Sequence, residues 1–187
     1  VIELVAFALA LGYVLLSIRQ RPIAWPLMIA ASTLYGLLFL ASRLYGQALL
    51  QLGFIAIAAW GWWQWTHGRK DDRPLAVSTL RLPQRLLLVV ACGVATVLAA
   101  LLLGRGTDAA SPWLDAFTTV GSLLAQVLTA RKYTDAWIGW LVVNLVSVAL
   151  FLQQQLMPTA LLYAIMAALS VAGWWAWRRA AAVPSGA

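Results

Sequence analysis

The segment Gly61-Trp62-Trp63-Gln64-Trp65 returns 112 positions later as Gly173-Trp174-Trp175-Ala176-Trp177. The same offset of 112 joins Ala48-Leu49-Leu50 to Ala160-Leu161-Leu162, Arg19 to Arg131, and Ala24-Trp25 to Ala136-Trp137. It also joins Leu38-Phe39-Leu40 to Leu150-Phe151-Leu152. Leucine matches arise cheaply in a chain that is 63% hydrophobic, but tryptophan matches do not. One gap-free offset therefore describes a unit built twice, and any fold for this chain must accommodate two copies.

Each copy is too apolar for water. Charged residues make up 10% of the 187, against roughly 25% in a soluble domain. So few polar groups cannot cover the surface of a soluble protein, which excludes a soluble enzyme, a disordered chain and a disulfide scaffold. A membrane span needs about 20 apolar residues. Charges and turn residues divide the chain into seven such runs, about 3–18, 25–42, 45–66, 84–103, 112–130, 136–153 and 157–177. The prolines fall in loops, tails or first turns, and Ser111-Pro112 and Thr134-Asp135 read as helix starts. The first run lacks a basic segment before it and reads as a span and not a signal peptide. The lone Cys92 reads as a packing residue.

The basic residues sit in short gaps, so they report topology and not nucleic-acid binding. One side holds Arg19, Arg21, Arg69, Lys70, Arg73, Arg81, Arg85, Arg131, Lys132, Arg178 and Arg179, which is eleven; the other holds Arg43 and Arg105, which is two. The positive-inside rule places the N-terminus outside and the C-terminus in the cytoplasm. An offset of four spans preserves orientation, so the two copies are parallel and span four is the linker. The expected fold is an all-α integral membrane protein of seven helices in a 3+1+3 parallel-repeat plan, of the kind found in secondary transporters. Its parts are 1–66 (first repeat), 67–111 (cytoplasmic loop and linker helix), 112–178 (second repeat) and 179–187 (cytoplasmic tail).

Polar side chains inside a bilayer are costly unless paired or facing water, so they mark candidate sites. On span six, Trp137, Trp140, Asn144, Ser147 and Phe151 form one helical stripe. Their mates in span two are Trp25, Met28, Ser32, Tyr35 and Phe39. On span five, Ser122 and Gln126 share a face, whereas their span-one mates Ala10 and Val14 are apolar. The framework is symmetric and the polar groups are not, as a single substrate site requires. Asn144 lies roughly 10–15 Å from the cytoplasmic end at 1.5 Å per residue. Gln126 lies nearer that face and Gln51 toward the outer half. Amides offer donors and an acceptor to a hydroxylated small molecule, and they also serve as helix–helix glue.

Of the 11 tryptophans, Trp65, Trp113 and Trp177 lie at span ends and fit an interfacial belt. Trp25 and Trp137 start their spans and fit either role. Trp140 and Trp60 lie deeper and suit the wall of a flat aromatic pocket, which stacks on heterocycles and attracts cations. Ionisable residues are missing from the middle of every span. That favours uncoupled downhill movement over a pump or an intramembrane hydrolase. The sequence carries no metal-spaced set, nucleotide loop or nucleophile–base pair, so no cofactor, metal or catalytic residue is expected.

Leu44-Tyr45-Gly46-x-x-Leu49-Leu50-Gln51, followed by Gly61-Trp62-Trp63-x-Trp65, resembles the third helix of PnuC-type vitamin transporters. Ala130-Arg131-Lys132, then Trp137-x-x-Trp140-x-x-x-Asn144, resembles their second-half signature. The likeness covers about residues 10–178. It implies an architecture related to the SWEET sugar transporters, with full-length repeats. It further implies facilitated diffusion of an unphosphorylated vitamin across the bacterial inner membrane, cytoplasmic phosphorylation that traps it, and a homotrimer. By motif position, Trp140 and Asn144 belong to the substrate site, with Gln51 as a further contact; Gln126 and Trp60 join them by depth and face, and Trp137 is a further candidate. Gln47 and Ser32 depart from the family, which often has an acidic residue and an asparagine there.

The substrates implied are nicotinamide riboside, thiamine or riboflavin. The first two carry a cationic aromatic ring, which tryptophan faces hold without a buried carboxylate. That ranks nicotinamide riboside first, thiamine second and riboflavin third. A non-transporting structural membrane protein is the alternative from another class, and a small membrane enzyme is a third.

Overall fold

Prolines in first turns and short polar gaps divide the chain into seven helices among the described residues. They are α1 (Ile2–Ile18), α2 (Ala24–Ala41), α3 (Tyr45–His67), α4 (Leu82–Gly106), α5 (Pro112–Ala130), α6 (Asp135–Gln153) and α7 (Met157–Ala182). The computed structural model describes residues 2–43, 45–70, 73–106, 112–153, 155 and 157–182. Leu44 of the motif, Asp71 and Asp72 of the basic loop, Ser111 at a helix start and residues 183–187 of the tail lie outside the described residues. The helices match the runs read from sequence, with α7 continuing through Arg178-Arg179 to Ala182.

Among the described residues, four helices are long and apolar enough to cross a membrane: α2, the Leu82–Leu102 part of α4, α6 and the Thr159–Ala182 part of α7. At 17 residues, α1 is apolar but shorter. In α3 and α5, amides, threonines and tryptophans dilute the apolar residues.

The helices close into a ring. In order, α1 packs on α2, α2 on α3, α3 on α5, α5 on α6, α6 on α7, and α7 on α1. Helix α4 stands outside the ring and packs on α5. Exchanging α1, α2 and α3 with α5, α6 and α7 leaves the ring contacts unchanged, and only α4 breaks the symmetry.

Side-chain geometry repeats at the same offset. The Trp25 ring lies against Gly61, where an added Cβ would come 2.5 Å from it. Trp137 lies against Gly173 at the same 2.5 Å. Only glycine admits an indole this close to a helix backbone. Trp25 meets Trp65 edge to face at 5.3 Å, and Trp137 meets Trp177 likewise at 5.4 Å. Such T-shaped pairs match the negative ring face to the positive edge.

The last carbonyls of a helix lack intrahelical donors. The Trp177 indole N–H supplies one to the Ser17 carbonyl of α1 at 3.0 Å. The Trp65 indole N–H supplies one to the Thr129 and Ala130 carbonyls of α5 at 3.3 and 3.1 Å. Trp65 and Trp177 therefore depart from the belt assignment: they are 8% and 0% exposed. The sequence places them at span ends, but ring closure puts those ends in the core. Trp113 is 56% exposed, as a belt residue would be. Among the described residues, the four left-handed non-glycine residues also pair at 112, Gln20 with Lys132 and Arg43 with Gln155.

The α3–α4 connection is ordered where the sequence suggests only a loop. Strands β1 (Arg69–Lys70) and β2 (Arg73–Pro74) pair antiparallel. Ser78 then exchanges backbone bonds with the α5–α6 turn, its N–H donating to the Lys132 carbonyl and its carbonyl accepting from Thr134. The Leu80 N–H donates to Asp135 at 2.9 Å, and Arg85 pairs with the same carboxylate at 2.7 Å. Leu75 and Val77 are thereby laid against the tryptophan core.

Candidate functional site

A cavity of about 170 Å³ lies inside the ring. Helix α1 contributes Ala10, Tyr13, Val14 and Ser17, four residues on one helical stripe. Helix α6 contributes Trp137, Trp140 and Asn144, and α7 contributes Met166 and Ser170. Three of the expected site residues thus come together here, because steps of 3 and 4 along α6 aim them at the ring axis.

Gln126 is fully buried beside the cavity. The Tyr13 hydroxyl donates to Gln126 Oε1 at 3.0 Å, tying α1 to α5. Gln126 Nε2 is buried with no partner. Asn144 Nδ2 donates to Ser170 Oγ at 3.2 Å, and Ser170 Oγ donates to the Met166 carbonyl. Trp140 Nε1 donates to Thr129 Oγ1 at 3.2 Å, which fixes the ring plane.

Gln51 and Trp60 do not line this cavity. Gln51 faces α2, where its Cβ is the nearest neighbour of an added Gly36 Cβ. Trp60 packs on the outside of the tryptophan core, under the Arg131 guanidinium at 5.6 Å. Arg131 follows the end of α5, so Trp60 lies nearer that end than its place in span three suggests.

Sequence reasoning treats the span-one face as apolar and misses Tyr13 and Ser17. The signal was present: they stand four residues apart, in register with Ala10 and Val14.

Two more buried atoms on the lining have no partner, Ser17 Oγ and Trp137 Nε1. A buried polar group without a partner costs about 1–3 kcal/mol. Three such groups, Gln126 Nε2, Ser17 Oγ and Trp137 Nε1, gather at or beside one cavity. Two are N–H donors, Gln126 Nε2 and Trp137 Nε1. No residue lining it is charged. Among the described residues no set of His, Cys, Asp and Glu gathers to hold a metal.

Charge sits at the end of the bundle where α1, α3, α5 and α7 finish. Lys132 Nζ lies 4.8 Å from the centre of the Trp65 ring. Burial holds its amine below the usual lysine value.

Six helices closed into a ring around an uncharged cavity fit a multi-pass inner-membrane transporter for a small organic molecule. The chain belongs to the nicotinamide mononucleotide transporter family, the PnuC family, whose description matches residues 1–179. The riboflavin/roseoflavin transporter RibM of Streptomyces davaonensis is 31% identical over 174 residues, covering 89% of this chain and 78% of that protein. The nicotinamide riboside transporter PnuC of Escherichia coli is 28% identical over 166 residues, covering 75% and 70%. The crystal structure of the vitamin B3 transporter PnuC superposes with a TM-score of 0.76 at 25% identity, over 95% of this chain and 80% of that one.

Proposed function

We propose that the protein carries nicotinamide riboside passively into the cytoplasm, where phosphorylation traps it. The observation that carries this reading is the neutral cavity whose unpartnered donors lie among tryptophan rings. Indole faces stack on a cationic pyridine ring. The amide and hydroxyl groups meet the carboxamide and ribose oxygens. The lining holds no cation for a phosphate, which supports the nucleoside over the nucleotide. It holds no carboxylate for a coupling ion, which supports downhill movement.

The site consists of Trp137, Trp140, Asn144 and Gln126, to which Tyr13 and Ser17 are added; Gln51 and Trp60 are left out. Ligand pockets usually measure about 300–1,000 Å³. At about 170 Å³ the cavity is smaller than that range. Riboflavin is the second reading, because RibM is among the relatives. Thiamine follows it.

The reciprocal ring contacts support the 3+1+3 plan, with repeats at 1–66 and 112–178 and α4 as linker. The eleven-to-two split of basic residues supports an external N-terminus and a cytoplasmic C-terminus. The family resemblance also implies a homotrimer.

Calorimetric titration of purified protein with nicotinamide riboside, its mononucleotide, riboflavin and thiamine tests the substrate. Saturable binding of the riboside, with little binding of the nucleotide, is expected. Tight binding of riboflavin or thiamine with none of the riboside would sink the assignment. Trp140→Ala and Asn144→Ala should each weaken binding by about tenfold, equivalent to roughly 1.4 kcal/mol. Unchanged affinity in both would remove the site.

A further inference from the structure

A second concavity lies on the outside of the ring and shares no residue with the central cavity. Helices α4 and α6 form its walls and α5 its floor, and it encloses about 640 Å³. Each helix presents a glycine to it: Gly93, Gly121 and Gly139. Gly121 and Gly139 let α5 and α6 approach closely, since added Cβ atoms would come 2.7 Å from Val143 and 3.3 Å from Ala125. Gly93 has no such packing reason, because an added Cβ would meet nothing within 4 Å. Its missing side chain leaves open space in the groove.

The groove is apolar along its length and charged at one end. Arg85 and Asp135 stand there, in the first turns of α4 and α6. Arg81 lies one turn before Arg85, and its carbonyl accepts the Arg85 N–H. Arg85 is paired with Asp135, and the exposed Arg81 adds a positive charge at this end. The lining runs along α4 from Arg85 to Val97, about 18 Å, and along α5 from Trp113 to Leu128, about 22 Å, at 1.5 Å per residue. Half of the roughly 30 Å hydrocarbon core is about 15 Å. The groove is therefore long enough to take one acyl chain, with basic groups at one end.

We propose that this groove binds an anionic phospholipid, with one acyl chain along α4 and the phosphate at Arg81 and Arg85. The setting in the cytoplasmic leaflet rests on the orientation proposed above; the site itself does not depend on which vitamin is carried. A second copy of this chain is the alternative occupant, and the cross-linking arm of the test below distinguishes it.

Native mass spectrometry and thermal unfolding of delipidated protein test this. The probes are micelles doped with phosphatidylglycerol or with phosphatidylcholine of the same chains. Phosphatidylglycerol should bind about tenfold more tightly, a difference of roughly 1.4 kcal/mol, and raise the melting temperature more. Arg81→Gln, which leaves the Arg85–Asp135 pair in place, should reduce that preference. Gly93→Leu, which fills open space, should weaken retention of both lipids in a folded protein. Equal binding of the two lipids, or retention unaltered by Gly93→Leu, would overturn the proposal. So would oxidant-induced cross-linking of copies through the single Cys92 on the groove wall, which would seat a second copy there.

Discussion

The Tyr13 hydroxyl reaches across the ring to Gln126 Oε1 at 3.0 Å and leaves Gln126 Nε2 without a partner beside the cavity. One bond thus holds α1 to α5 and orients the Gln126 amide. Tyr13→Phe strands a buried acceptor and should cost about 1–3 kcal/mol of stability. It should also weaken nicotinamide riboside binding, as the amide loses its orientation. In a double-mutant cycle with Gln126→Leu, thermal unfolding should show a coupling of about 0.5–3 kcal/mol. Additive effects would mean the bond carries no weight.

Gly173 and Gly93 form a matched pair of tests. A Cβ at Gly173 runs into the Trp137 ring, whereas one at Gly93 meets open space. Gly173→Ala should therefore cost about 1–3 kcal/mol, the usual range for overpacking. It should also displace Trp137 and weaken substrate binding. Gly93→Ala should be neutral, or stabilise by up to about 1 kcal/mol through helix propensity. Melting temperatures that shift alike in both variants would refute the assigned packing.

Lys132 gives the fold a pH dependence. Burial disfavours its charged form, so its folded value lies below the ordinary 10.5. Between those two values the unfolded chain binds more protons than the folded one. Stability should rise with pH through that window and level off above 10.5. Lys132→Gln should flatten this part of the melting profile. A profile that keeps its slope in the variant would assign the effect to another group.

Gln155 sits at φ 59° after α6, a conformation that costs an L-residue roughly 1–2 kcal/mol. Gln155→Gly removes that strain and adds some chain entropy, so it should be neutral to modestly stabilising. Gln155→Val places a β-branched residue where it fits worst and should destabilise. Chemical denaturation that ranks valine above glycine would contradict the backbone geometry.

Helices, loops and the repeat were legible because apolar runs, charges and tryptophans register directly in sequence. Trp137, Trp140 and Asn144 were legible as a stripe, because helix periodicity alone places them on one face. Tyr13 was not, because its mate Ala125 is small and a tyrosine in an apolar run looks like filler. Trp65 and Trp177 misled for another reason. Span ends ordinarily meet the headgroups, but here the Leu75–Val77 segment covers the tryptophan core. Only the tertiary pairing of Ser78 with Tyr133 reveals that cover.

Through Trp65 and Trp177, the α3 and α7 indoles add a donor to carbonyls at the ends of α5 and α1. Two identical three-helix chains related by a two-fold axis would make the same exchange. A single polypeptide with such contacts lets each half change alone. Tyr13 opposite Ala125, and Gln126 opposite Val14, are differences a pair of identical chains could never hold.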